Sequence, residues 1–298
     1  MTDRPIDLLV VGTPFLDVTL TGLERFPEPG EELLAHDLYL SPGGPAMTAV
    51  AAVRLGLAVA LVAPLGDDLP GRELLRLLEG EGVQWVGPKA DRTPITVLMP
   101  APQGVAMATH LPHADISAET VSAVPASAVV VSLGRLALRP GQTRCYAVTG
   151  GLEIGRFESG VPAELAGVDA VFLTGTEATA VTGHDEPEAA AAELARVART
   201  AIVTLGPEGA VGAAGHTVVR VPAIEFETVD ATGAGDLLVA AYAWADSNGM
   251  SLEDRLCWAT LYAGLSVRAP TPMSGAVSVD ELVVEGRRHG LPPPALRC

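Results

Sequence analysis

Short apolar runs alternate along the chain with stretches whose apolar positions recur at helical spacing. This pattern predicts an α/β fold with a mostly parallel central sheet flanked by helices on both faces. Ile6–Val11 and Val59–Ala63 read as buried strands, and Ala128–Ser132, Cys145–Val148, Ala170–Leu173 and Ile202–Leu205 as further ones. Helices are expected over Pro45–Leu55, near Arg72–Leu78, over the Ala-rich Glu188–Arg199, and over Gly235–Asp246 and Leu252–Val267. Gly56 falls where a helix end favours a left-handed residue. The connection from Ser132 to Thr143 is short for a helical crossover between parallel strands.

Two stretches break the rhythm. Thr19–Leu40 and Ile95–Leu111 hold β-type runs separated by Pro and Gly, without helical spacing. They are expected to form a small sheet that projects from the main body as a lid. One domain over 1–298 is the reading, with lid segments near 13–40 and 92–112. The tail after Arg288, with Pro292, Pro293 and Pro294, is expected to be poorly ordered.

Hydrophobic residues make up 48% and aromatics only 4%, so Ala, Val and Leu must fill the core. A net charge of −17 argues against a general nucleic-acid surface. It also requires any anionic ligand to be received locally, by helix ends or a metal. No apolar run reaches the ~18 residues of a membrane span. The start MTDRPIDLLVVG lacks a signal-peptide core, so a cytoplasmic location is expected. Cys145, Cys257 and Cys298 lie far apart without a CxxC pair, and no HExxH spacing occurs. Neither a disulfide framework nor a zinc site is expected.

The chemistry concentrates in Thr228-Val-Asp-Ala-Thr-Gly-Ala-Gly-Asp236, a small-residue turn that runs into an apolar helix. With almost no side chain at Gly233, Ala234 and Gly235, amides at the helix start are open to a phosphate. Asp236 then stands in the first turn. A carboxylate is unfavourable beside a bound phosphate, yet it is what a hydroxyl attacking that phosphate needs as a proton acceptor. The plainer alternative is that Asp236 only stabilises a helix N-terminus.

This segment resembles the D-T-x-G-A-G-D signature of the PfkB carbohydrate kinase family, the ribokinase-like sugar and nucleoside kinases, with Ala231 in place of the usual Thr. Ser41-Pro-Gly-Gly-Pro-Ala-Met-Thr-Ala-Val-Ala-Ala-Val-Arg-Leu-Gly56 is similar to the family's N-terminal G-G-x-x-x-N-x-A…R-L-G stretch, and Leu65-Gly-Asp-Asp68 and Gly71 follow as in the family. The resemblance implies a ribokinase-like fold and an ATP-dependent phosphotransferase. It makes Asp236 the catalytic base, the amides of Gly233, Ala234 and Gly235 an anion hole, and Asp230 and Thr232 supports of the turn. It also implies substrate contacts from Asp17, Gly43, Gly44 and Thr48. Thr204, Gly206 and Gly209, in Thr-Leu-Gly-Pro-Glu-Gly, would lie along ATP, and Glu177 would organise Mg²⁺ through water.

The chain departs from the family at several points. Thr48 and Thr174 stand where Asn is usual, Phe15 where sugar kinases often have a polar residue, and Thr149-Gly150-Gly151 where D-P-N is common. A P-loop kinase is excluded, and a dinucleotide-dependent oxidoreductase is disfavoured. Lys89 is the only lysine and is not in a P-loop, and Gly12 is followed by Thr-Pro-Phe instead of a dinucleotide fingerprint. A non-catalytic ligand-binding protein on a degenerate kinase fold stays open. So does the acceptor: a small sugar or sugar acid, or a nucleoside bordered by Phe15, Pro45 and Met47. Lid edges of this kind can also pair two subunits into a homodimer.

Overall fold

The computed structural model describes residues 4–141, 143–149 and 160–292. The chain opens with β1 (Ile6–Val11), runs out into β2 (Phe15–Thr21) and β3 (Asp37–Gly43), and turns into helix α1 (Pro45–Arg54). It continues through β4 (Val59–Val62), β5 (Leu65–Gly66), α2 (Leu69–Glu81), β6 (Gln84–Val86), β7 (Lys89–Ala90), β8 (Ile95–Ala101) and β9 (Gly104–His110). After these come α3 (Ala118–Ser122), β10 (Ala126–Ser132), β11 (Arg144–Val148), β12 (Ala170–Thr174), α4 (Gly175–Thr182) and α5 (Pro187–Leu194). The last part holds β13 (Ala201–Thr204), β14 (Ala210–Ala214), β15 (Thr217–Val221), α6 (Ala234–Ser247), α7 (Leu252–Ser266), α8 (Pro272–Gly275) and α9 (Val279–Arg288).

The main sheet has nine strands in the order β15-β14-β13-β12-β11-β10-β1-β4-β6. It is parallel from β13 to β6, and β14 and β15 extend it antiparallel. Successive side chains of a strand point to opposite faces, so the central strand serves two cores. Leu8 and Val10 pack in the layer with α1, α6 and α7, while Leu9 and Val11 pack in the layer with α4 and α5. Helix α6 is apolar all round and buried from Leu237 to Ala245, held between α1 and α7. Trp244 meets Trp258 of α7 edge-on at 5.7 Å.

The lid stretches form a separate four-stranded sheet, β3-β2-β8-β9, that packs on α1 and α2. It begins at Phe15, ahead of the β-type run from Thr19 but within the expected lid segment near 13–40, and Asp17 pairs with Ser41 on one side and Thr96 on the other. Thr19, Ser41, Thr96 and Leu98 are buried on the inner face, whereas Leu38 and Leu40 on the other face are 58% and 41% exposed.

Other boundaries also move. Helix α2 starts at Leu69 because the Asp68 side chain caps it by accepting from Gly71 N, with a proline in the first turn. Helix α5 ends at Leu194, Val197 and Ala198 close a last turn on Leu194 O, and the amide of Arg199 bonds Val168 O. The short connection after β10 is a 3-10 turn, Leu133–Leu138, and β10 and β11 are nevertheless parallel neighbours. Gly150, Gly151, Cys298 and the tail beyond 292 lie outside the described residues. Cys145 and Cys257 are free thiols. Among the described residues no helix is long and apolar enough to cross a membrane.

Candidate active site

The N-termini of α1 and α6 meet beside the inner face of the small sheet. Gly44, at φ 55 and ψ −129, caps α1, a conformation that only glycine adopts without strain. Gly233, at φ 74, caps α6, and a Cβ there would lie 2.7 Å from Pro272 Cγ of α8. Ala234, Gly235 and Asp236 are thus the first three residues of α6. No side chain caps this helix, so Asp236 is not its N-cap. Thr48 Oγ1 instead donates to Asp236 Oδ1 at 2.9 Å across the α1–α6 contact.

The open turn has the form that anion binding requires. Among the described residues the amides of Gly233 and Gly235 find no acceptor, whereas Ala234 N makes a long bond of 3.3 Å to Ala231 O. The amides without an acceptor at this turn, among the described residues, are therefore those of Gly233, Gly235 and Asp236. A Cβ on Gly235 would meet no protein atom within 4 Å, so the space in front of the helix is clear. Behind it, Asp230 is buried and its Oδ1 accepts from Thr232 N at 2.9 Å, which fixes the turn.

Asp17 approaches from β2. Its carboxyl lies against Gly43, where an added Cβ would come within 2.2 Å of Oδ2; the close approach explains the glycine. Burial pushes Asp17 up to about 7, the charges of Asp236 and Asp230 add to this, and the Thr96 hydroxyl opposes it. Burial likewise pushes Asp236 up to about 7 against the bond from Thr48. A carboxyl near 7 is poised to accept a proton at neutral pH.

The same shifts have a stability consequence. Each carboxyl binds its proton more tightly in the fold than at the ordinary value of 3.8. Their contribution to stability is therefore fully present below that value and is lost as pH rises through about 7. Asp17→Asn should raise Tm, and by more at pH 8 than at pH 5, in melts of the two proteins side by side. An equal gain at both pH values would contradict the raised proton affinity.

A second group lies on the C-terminal edges of β12 and β13, the third and fourth strands from β1, where Thr174 is in register with Thr204. Gly206 and Gly209 both have positive φ, and a Cβ on Gly209 would lie 2.0 Å from Val221 O. Glu177 is buried and forms a reciprocal cap with Thr174; its Oε2 accepts from Thr174 N and from the Thr149 hydroxyl. The structure thus brings together Asp17, Gly43, Gly44, Thr48, Asp230, Thr232 and Gly233–Asp236, with Glu177, Thr204, Gly206 and Gly209 as a neighbouring group. Sequence reasoning missed Thr96, Thr149 and Pro272. None carries a local signal, because each acts on a residue far away in the chain.

A large parallel sheet between two helical layers, a small separate sheet and this pair of glycine turns define a ribokinase-like kinase fold. The chain belongs to the pfkB family of carbohydrate kinases, whose model matches residues 6–134 and 152–277. It is similar to ribokinase of Bacillus subtilis, with 28% identity over 88% of this chain and 92% of that one. It is also 25% identical to deoxyribokinase of Salmonella typhi, over 93% and 97% of the two chains. The structure of Arabidopsis thaliana ribokinase complexed with ribose and ATP superposes with a TM-score of 0.77 at 23% identity, covering 94% of this chain and 98% of that one. The protein is accordingly a phosphotransferase, a sugar or nucleoside kinase, and ATP is a substrate of such kinases.

Proposed function

We propose that this kinase transfers the γ-phosphoryl group of ATP to a hydroxyl of a small sugar or sugar acid, with Asp236 as general base and the Gly233–Gly235 turn as anion hole. The observation that carries this reading is the hydrogen bond from Thr48 to Asp236 Oδ1. It orients a carboxyl of raised proton affinity beside free amides at a helix N-terminus. On this reading Thr48 positions the base instead of touching substrate, and Asp17 and Gly43 receive the acceptor. Met47 is only 1% exposed, which removes one of the three apolar residues that could border a nucleobase and favours a sugar. Activity requires the ionised base, so kcat/KM should fall about tenfold per pH unit below 7 and level above it. A flat profile from pH 5 to 8 would contradict the assignment.

Mg²⁺ would supply charge neutralisation on the transferred phosphoryl. Among the described residues no group of three His, Cys, Asp or Glu forms a ready cage. That fits an ion carried mainly by phosphates and water. Glu177 is the residue that would hold it through water, since Oε1 takes no hydrogen bond among the described residues. Excess chelator should abolish ADP release, and Glu177→Gln should lower it about tenfold. Full turnover in chelator would remove the metal from the account.

The small sheet would close over the acceptor, and its exposed face supports a homodimer. Leu38 and Leu40 on β3 continue an apolar row through Leu20 and Val18 to Val97. Leu40→Asp should convert a dimer to a monomer in sedimentation experiments. A monomeric wild type at micromolar concentration would contradict the pairing.

A further inference from the structure

Arg135 reaches the sheet edge beside the acceptor side of the site. β1 and β10 are parallel neighbours with Val11 opposite Val131, so the chain leaves both strands side by side at one sheet edge. Thr13 stands on the first exit and Arg135 on the second, and Arg135 Nη2 donates to Thr13 Oγ1 at 2.9 Å. Thr13 borders the acceptor side of the site. Its carbonyl oxygen is 3.8 Å from where a Cβ on Gly44 would sit, and Gly44 caps the helix that carries Thr48.

Most described arginines pair with a carboxylate. Arg135 is half-buried, and among the described residues its one hydrogen bond is to neutral Thr13. Arg92, Arg139, Arg268 and Arg287 likewise make no ion pair among the described residues, but Arg135 is set apart by its place beside Thr13 and Gly44. A guanidinium partly withdrawn from water is stabilised by an anion, and its planar fork of donors matches a carboxylate or phosphate. A neutral sugar offers only hydroxyls, for which Asp17 is the better partner. A ligand with hydroxyls at one end and an anion at the other matches both.

We propose that Arg135 receives an anionic group, carboxylate or phosphate, carried by the phosphoryl acceptor, so that the substrate is an acidic sugar. This rests on the kinase reading above. Arg135 acts here as a specificity residue, with no part in the proton transfer.

The test compares wild type with Arg135→Met, which keeps an unbranched apolar stem and removes the charge. D-ribonate and D-gluconate are set against D-ribose and D-glucose, with ribose 5-phosphate and glucose 6-phosphate as the phosphate arm. Acceptor binding is measured by calorimetry, and turnover by coupled ADP release. Wild type should bind a carboxylate or phosphate member more tightly than its neutral parent, and the two arms show which anion fits. Arg135→Met should lose about 10–100-fold in affinity for that member. KM should rise with kcat held, while affinity for ATP and for the neutral sugars is unchanged. Equal binding of neutral and anionic members would overturn the proposal. So would an effect of the substitution on ATP in place of the acceptor, or no anion bound in an Arg135-dependent way. Arg135-dependent anion binding with no ADP release would leave this inference standing and contradict the kinase reading instead.

Discussion

Asp236→Asn should lower kcat by about 10²–10⁴-fold, the usual contribution of a positioned general base. The amide is nearly the same size, and Thr48 Oγ1 can still donate to its oxygen as it does to Oδ1. The α1–α6 contact and the turn of Gly233–Gly235 are therefore expected to persist. ATP affinity, measured by calorimetry, should hold or tighten slightly, because a negative charge is removed from the neighbourhood of the phosphates. A cap would behave differently, since losing one costs stability and leaves kcat intact. Gly233 is the N-cap of α6 and no side chain caps it, so the substitution should not lower Tm, and by the raised proton affinity of Asp236 it should raise it more at pH 8 than at pH 5.

Gly235→Val should weaken ATP binding by about 10–100-fold, the loss expected when a hydrogen bond to a charged phosphate is blocked. The argument depends on what the new side chain would meet. A Cβ on Gly235 contacts no protein atom within 4 Å, and the residue is not in the left-handed region. Glycine is a poor helix residue, so the fold should tolerate valine. Only a ligand in front of the helix would feel it. Gly233→Ala is the contrasting variant. Its φ of 74 and the 2.7 Å approach to Pro272 Cγ make any side chain strained, so stability itself should fall, by about 1–3 kcal/mol. If Gly235→Val bound ATP as the wild type does, the anion hole would have to lie elsewhere.

The parts of this site legible in the sequence are those written in consecutive residues. Thr228–Asp236 carries its turn, its helix start and its acid within one stretch, and its geometry follows from local rules for glycine and helix ends. Gly43–Gly44 before α1 is local in the same way, although the reason for Gly43 is the Asp17 carboxyl, far back along the chain. What depends on pairing across the fold was not legible. Thr48 meets Asp236 across 188 positions and Arg135 meets Thr13 across 122, and no periodicity encodes either contact. Thr48 therefore reads in the sequence as a departure at a substrate position, whereas in the fold its hydroxyl donates to Asp236 Oδ1. The start of β2 is another such case. Phe15–Asp17 precede the β-type run that begins at Thr19, and only ladder bonds from β3 and β8 show where the strand starts. Glu177 is drawn into the structure by its reciprocal cap with Thr174 and by the Thr149 hydroxyl, a residue from another strand end.

The most direct measurement of the central claim is acceptor-dependent formation of a phosphomonoester from ATP. It is followed by phosphorus NMR together with coupled ADP release, for wild type and Asp236→Asn on the same panel of sugars, sugar acids and nucleosides. The account predicts one ADP per phosphomonoester for wild type with a member of the panel. It predicts a rate about 10²–10⁴-fold lower for Asp236→Asn at undiminished ATP affinity. A wild-type rate from Asp236→Asn would contradict the assignment of Asp236 as base, and ADP release without any phosphomonoester would contradict transfer to a hydroxyl.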